Sequence, residues 1–218
     1  MRLGRVMIAL LASAAVVGCA PQGDEDPMPT PTATQTVVTK AAVPLPRIPH
    51  GTVTGPLPAV RVDHNTIHVG SRAYDVAPLR ADAAVSTRGG VYFLNAGEVW
   101  YLDDRGARGT GYAHVRRLVV SSDGRYLGLV DRNHGPVDAA KVQIATAVAY
   151  DTTTGRVALH SRAGMRGSSA GAADTDLRAL YRRHPPVATG FFDDALIAST
   201  PAGMYVYPLS GAAPHPQS

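Results

Sequence analysis

Between residues 115 and 161 this 218-residue chain is cut into short apolar runs by tight turns, and no other feature limits its fold so strongly. Val115-Arg116-Arg117-Leu118-Val119-Val120 reads as a strand. Ser121-Ser122-Asp123-Gly124 stops it with side chains that bond their own backbone and a glycine able to adopt positive φ. Arg125-Tyr126-Leu127-Gly128-Leu129-Val130 returns. After a polar loop, Ile144-Ala145-Thr146-Ala147-Val148-Ala149-Tyr150 makes a third strand. Asp151-Thr152-Thr153-Thr154-Gly155 turns again, and Arg156-Val157-Ala158-Leu159-His160 makes a fourth. Runs this short, rich in Val, Leu and Tyr, suit antiparallel strands better than helices.

The same alternation runs on either side. Residues 58–62, 66–69 and 72–76 read as strands around Asp63-His64-Asn65 and Gly70-Ser71. Residues 83–86, 91–94 and 98–102 follow, turned at Arg88-Gly89-Gly90, Asn95-Ala96-Gly97 and Asp103-Asp104-Arg105-Gly106. Residues 186–209 supply another set around Asp193-Asp194 and Pro201-Ala202-Gly203. Before that set lie a Gly/Ser/Ala-rich insertion at 163–173 and an expected helical turn over 176–184, stopped by Pro185. The unit at 115–161 resembles one blade of a WD40-like or YVTN-like bacterial β-propeller. The residues that carry the resemblance are Ser122-Asp123-Gly124-Arg125-Tyr126-Leu127 and Val148-Ala149-Tyr150-Asp151 with Thr154-Gly155-Arg156. The Gly-His and Trp-Asp pairs of the eukaryotic repeat are missing. The resemblance implies an all-β domain, a short or partial β-propeller of three to four antiparallel blades. Closure as a four-bladed ring would use Gly51-Thr52-Val53-Thr54 as the outer strand of the last blade. An open array would instead leave blade edges through which copies self-associate.

At the other end, Arg2 and Arg5 precede an apolar stretch at 7–17. It has the length of an export-signal core and about half that of a bilayer span. The stretch closes on Val16-Val17-Gly18-Cys19, which resembles the lipobox of bacterial lipoproteins. That resemblance implies that Cys19 is alkylated with diacylglycerol and becomes the new N-terminus after cleavage. Two or three acyl chains hold a protein to a membrane where one does so marginally. Cys19 is the only cysteine, so the exported domain can form no internal disulfide and relies on its core. An ordinary secretory signal with a chance cysteine is the plainer alternative. The expected segments are a leader at 1–18, a lipid-anchored Pro/Thr-rich linker at 19–50, the β domain at 51–210 and a disordered tail at 211–218. The linker, centred on Pro27-Met28-Pro29-Thr30-Pro31-Thr32, lacks the apolar surface to offset its ordering entropy. It reads as a spacer or, more sharply, as an O-glycosylated stalk.

Charge excludes little else. The chain has 21 basic and 17 acidic residues. Arg2 and Arg5 leave with the leader, and no cluster of the rest forms a stripe that would track phosphates, so nucleic acid is not an expected partner. His64 and His68 stand four apart but across a turn, with no third ligand near in sequence, and zinc is not expected. His50, His114, His134, His160, His184 and His215 are scattered. Asp103-Asp104 and Asp193-Asp194 could serve calcium or acid–base chemistry, but each falls on a turn of the kind Asp favours. Gly164-Met165-Arg166-Gly167-Ser168-Ser169-Ala170-Gly171 lacks the lysine and flanking elements of a phosphate loop. The Ser121–Gly124 turn departs from the sialidase Asp-box, because its Asp and Gly are adjacent. Trp100 and the tyrosines at 92, 101, 126, 150, 205 and 207 suit blade-to-blade packing better than a sugar platform. No nucleophile elbow, His-Glu-x-x-His or Cys-x-x-Cys occurs.

No catalytic, metal or cofactor residue is therefore assigned, and Cys19 is the one site residue. The expected protein is a membrane-anchored extracytoplasmic lipoprotein and not an enzyme. Its domain would bind a protein or cell-envelope ligand through the loops at 132–141 and 163–184. One alternative is a propeller hydrolase or lyase acting on envelope glycans, which needs carboxylates, His or Arg gathered at the centre of the array. Another is a truncated propeller without activity of its own, which would expose a broad apolar face.

Overall fold

The structure is a computed structural model, and the residues it describes are 44–137, 143–163, 183–201 and 203–217. All fall in the unit Val37–Ser218. Cys19, the leader, most of the linker, the glycine-rich 164–171 stretch, Lys141 and nearly all of the expected helical turn at 176–184 lie outside them.

Among the described residues every element is a β-strand, and each sheet is built from consecutive strands. The first sheet holds β1 (Val60–Asp63), β2 (Thr66–Val69) and β3 (Arg72–Asp75). The second holds β4 (Ala83–Thr87), β5 (Gly90–Asn95), β6 (Glu98–Asp103) and β7 (Gly106–Gly109). The third holds β8 (Val119–Val120), β9 (Tyr126–Asp131), β10 (Thr146–Asp151) and β11 (Arg156–Arg162). The fourth holds β12 (Val187–Phe192), β13 (Ala195–Thr200), β14 (Gly203–Pro208) and β15 (His215–Pro216). All pairings are antiparallel, and no sheet closes into a barrel. The tightest turns have the chemistry their geometry requires. Ala96 and Gly97 both take positive φ, 49° and 84°, between β5 and β6, as a two-residue hairpin with right-handed twist demands.

Strand alternation decides which sheet packs on which. On β5, Val91 and Phe93 face the first sheet, while Tyr92 and Leu94 face the third. On β9 and β10, Leu127, Leu129, Val148 and Tyr150 face the second sheet, while Val130, Ala147 and Ala149 face the fourth. A period of two thus splits each middle sheet between two cores. Three cores result, one in each seam between sheets that follow one another in the chain. The third seam fits small against large: Ala145, Ala147 and Ala149 receive Leu196, Phe191 and Tyr207. A Cβ on Gly128 would stand 2.5 Å from Leu196 Cδ1, which fixes how closely the sheets approach. The first strands also touch in series, β1 with β4, β4 with β8 and β8 with β12. The register puts Arg61, Asp63, His68 and Asp75 on the outer face of the first sheet, opposite Val60, Val62 and Ile67.

Four expectations change. The linker does not run to residue 50 as free chain: Ile48 is buried in the second seam with Leu45 beside it. Gly51-Thr52-Val53-Thr54 does not complete the last sheet. Val53 instead donates its N–H to Arg88 O at 2.7 Å, because the chain enters over the second and third sheets. The last sheet finds its fourth strand in the supposed tail, where Val206 and Tyr205 pair with His215 and Pro216. The strand expected from Val115 is laddered only at Val119–Val120. Val115 is buried and gives its N–H to Gly97 O at 2.9 Å.

Candidate functional site

Pro44 to Leu57 forms a strap across the seam between the second and third sheets. Its prolines cannot donate to a ladder, so apart from the Val53 N–H its anchorage comes from carbonyls and side chains. Tyr150 Oη donates to Pro46 O at 2.8 Å, and Tyr92 Oη donates to Pro49 O at 2.6 Å. Tyr112 and Tyr150 share a hydroxyl–hydroxyl bond. Since Tyr150 spends its proton on Pro46, Tyr112 is the donor to Tyr150. Further along, Arg88 Nη1 donates to Gly55 O and Arg88 Nε to Asp123 O. Tyr101 Oη donates to Gly89 O at 3.0 Å.

At the Tyr112 end of this seam sits a polar cluster inside an otherwise apolar core. Asp131 is the last residue of β9 and is fully buried. Its carboxylate accepts the N–H groups of Asn133 and His134, each at 3.0 Å. It also accepts His134 Nδ1 at 3.1 Å, in a pair whose imidazole is 17% exposed. An acceptor-only carboxylate places a proton on Nδ1, which in the neutral imidazole leaves Nε2 as an acceptor. No described residue bonds Nε2. The ring meets the edge of Tyr112 with centroids 5.1 Å apart. Thr146 stands opposite Asp131 in the ladder and so on the same face. It is 1% exposed, yet its Oγ1 has no partner among the described residues. Gly135 crosses above it, where a Cβ would lie 3.1 Å from Thr146 Cγ2. His160 lies on that face of β11. Partial burial holds its pKa below the ordinary value; Asp131 opposes this and His134 reinforces it. Burial likewise pushes the Tyr112 phenol well up. The arrangement can grip a hydrogen-bond donor at Nε2 of the partly exposed imidazole. No described hydroxyl is placed to be activated as a nucleophile.

The remaining expected residues do not converge there. His64 sits at a turn with φ 54° and bonds Asp63 at 3.0 Å. Its neighbour Asp63 is held below the usual carboxylate range by that bond. His68 is a ladder residue opposite Arg61. An open depression of about 270 Å³ lies beside His64, lined by Val62, Asp63, Arg80, Ala81 and Asp82. Two of its rim groups are committed, since Asp82 accepts Ala96 N–H and Ala81 donates to His64 O. His50 belongs to the strap, over Gly155. His114 takes φ 59°, and His215 is exposed on β15. Asp103 caps its turn through Arg105 N–H and pairs with Arg108. Asp104 does more than turn: it ties β3 to the second sheet through Arg72 at 3.1 Å and Tyr74 at 3.0 Å. Asp193 takes the turn with φ 47°. Ser121 and Asp123 are bonded to each other at 2.6 Å inside their own hairpin. Trp100 stacks on Phe93 at 6.4 Å. Tyr92, Tyr150 and Tyr207 are fully buried.

Among the described residues no three His, Cys, Asp or Glu side chains gather to hold a metal ion, and no helix is long and apolar enough to cross a membrane. Sequence reasoning pointed to the 132–141 loop but missed Asp131, Tyr112 and Thr146. The usable signal was Asp131-Arg132-Asn133-His134 directly after a strand, since Asp there folds the next residues onto its own carboxylate. No protein-family model, curated protein or solved structure matches the chain.

Proposed function

We propose that the protein is a lipoprotein anchored through Cys19 to the extracytoplasmic face of the membrane, with a short propeller-like array acting as a non-catalytic binding module. The first strands lying side by side in chain order favour a radial arrangement of blades. Loops held by a rigid scaffold are where binding residues concentrate. The observation that carries the binding reading is the cluster at the end of β9. A fully buried Asp131 holds the backbone N–H groups of Asn133 and His134 and aims the His134 ring. The Thr146 hydroxyl beneath it is sealed under Gly135 without a partner among the described residues, a cost of about 1–3 kcal/mol that the fold carries at this cluster. The ligand is then a protein or envelope component offering a donor to His134 Nε2. The Asp131–His134 pair also keeps a hydrolase or lyase of envelope glycans as a second reading, since a carboxylate-oriented imidazole is half of a general-base unit.

One fractionation experiment tests both parts. Cys19→Ser should move the protein from the membrane to the soluble phase; unchanged detergent-phase partitioning sinks the anchor. The soluble form should sediment with isolated cell envelopes, and His134→Ala should abolish this while leaving the fold intact. Sedimentation that survives His134→Ala removes the cluster from the binding face. Glycan cleavage lost with His134 would favour the second reading.

A further inference from the structure

The strap sits in its seam as a separate peptide would sit in a receptor. Its contacts recur every third residue. Leu45 and Ile48 turn their side chains into the core, and Pro46 and Pro49 present their carbonyls to Tyr150 and Tyr92. Three residues is the repeat of the polyproline II helix, which makes no internal hydrogen bonds and so offers its carbonyls to outside donors. Aromatic-lined grooves are the usual receptors for such segments. Here Tyr92, Tyr101, Tyr112 and Tyr150 line the seam. A Cβ on Gly51 would lie 3.0 Å from Tyr101 Oη, and one on Gly155 would lie 2.5 Å from Ile48 O. Beyond this the chain leaves through Gly55 and Pro56, both exposed. Gly55 has φ 82° and nothing within 4 Å of its missing Cβ, so a hinge there has only the Arg88 bond to its carbonyl to release.

We infer that the seam between the second and third sheets is a receptor groove for an extended proline-rich peptide, and that the peptide it takes from outside is the strap of a second copy of this chain. A foreign peptide must displace a strap tethered at an effective concentration of about millimolar. Exchange between two copies keeps every strap contact and changes only the hinge and the association entropy. The strap's own residues are also the one sequence shown to fit the groove. This inference does not rest on lipid anchoring or on the His134 cluster, and it stands if either fails.

The test uses the full chain carrying Cys19→Ser, prepared in heavy-isotope and light forms, each with a photo-cross-linking residue replacing the exposed His50. The two forms are mixed at high concentration, opened briefly in mild urea and returned to buffer. The expected result is heavy–light cross-links from residue 50 to the region of Gly155, together with a dimer by light scattering. Leu45→Ser with Ile48→Ser should abolish both. If that pair fails to fold, the cross-link masses of the folded chain still decide the question. Links confined within single chains at every concentration overturn the inference. Binding of a free peptide of residues 44–55 to the unopened chain at micromolar concentration also overturns it, because the tethered strap would then not be the competitor required.

Discussion

Tyr150 shows how one side chain joins three parts of the molecule. Its hydroxyl accepts from Tyr112 and donates to Pro46 O, so β10, the lead-in to β8 and the strap meet at one oxygen. Burial pushes this phenol up to about 12; the bond from Tyr112 pulls it back, and the Asp131 charge adds to the rise. Burial pushes Tyr92 and Tyr112 up further still. An unfolded tyrosine titrates near pH 10. Above about pH 10 the folded chain therefore holds protons that the unfolded chain has lost. The tyrosines' contribution is whole below about pH 10 and declines as pH rises toward about 12. The urea midpoint should accordingly stay level from pH 7 to pH 9 and fall steeply beyond pH 10. Tyr150→Phe should lower stability by about 1 kcal/mol at pH 8 and make the alkaline fall shallower. An alkaline limb untouched by the substitution would place the proton linkage elsewhere. The burial of Tyr92 and Tyr150 was readable from strand alternation, and that of Tyr112, which lies outside any strand, was not. The hydroxyl partners were not readable either, because Pro46 lies 104 residues from Tyr150.

At the scale of elements, the turns hold the sheets in register with one another. The Arg88-Gly89-Gly90 turn of the second sheet plugs into the turns of the third: Arg88 N–H donates to Gly124 O at 2.8 Å and Gly89 N–H to Thr152 Oγ1 at 3.1 Å. Gly89 is required by proximity, since a Cβ there would stand 1.8 Å from Thr152 O. Gly89→Ala should cost about 3 kcal/mol or more, read as a lowered thermal midpoint with faster hydrogen exchange at residues 88, 89 and 152. Gly190→Ala, where nothing lies within 4 Å of the added carbon, should stay within about 1 kcal/mol. Equal effects at both glycines would mean that backbone entropy, and not the close approach, sets the cost. Sequence placed these turns well, because Asp, Asn and Gly announce them locally. It could not say which turn enters which, since Gly89 and Thr152 are 63 residues apart.

At the largest scale, the described residues pack into three cores in series in place of a single centre. Each sheet packs chiefly on its chain neighbours, so stability should pass from sheet to sheet as it does in repeat proteins. Leu196 is fully buried in the third seam. Leu196→Ala should cost about 2–5 kcal/mol, with hydrogen-exchange protection lost first in the fourth sheet, less in the third and least in the first. A uniform loss across all four sheets would show one cooperative core instead.

Sequence alone determined the all-β class, the consecutive hairpins and nearly every turn, because period-two alternation and turn residues act within a few positions of each other. Tertiary structure decided the rest. It drew Ile48 out of an apparent linker, since a buried apolar side chain gains more than a free one. It drew His215 and Pro216 out of an apparent tail, since the β14 edge offered hydrogen bonds. It placed His134 against a fully buried Asp131, a pairing whose meaning depends on Tyr112 and Thr146, brought there by sheets that no local pattern describes.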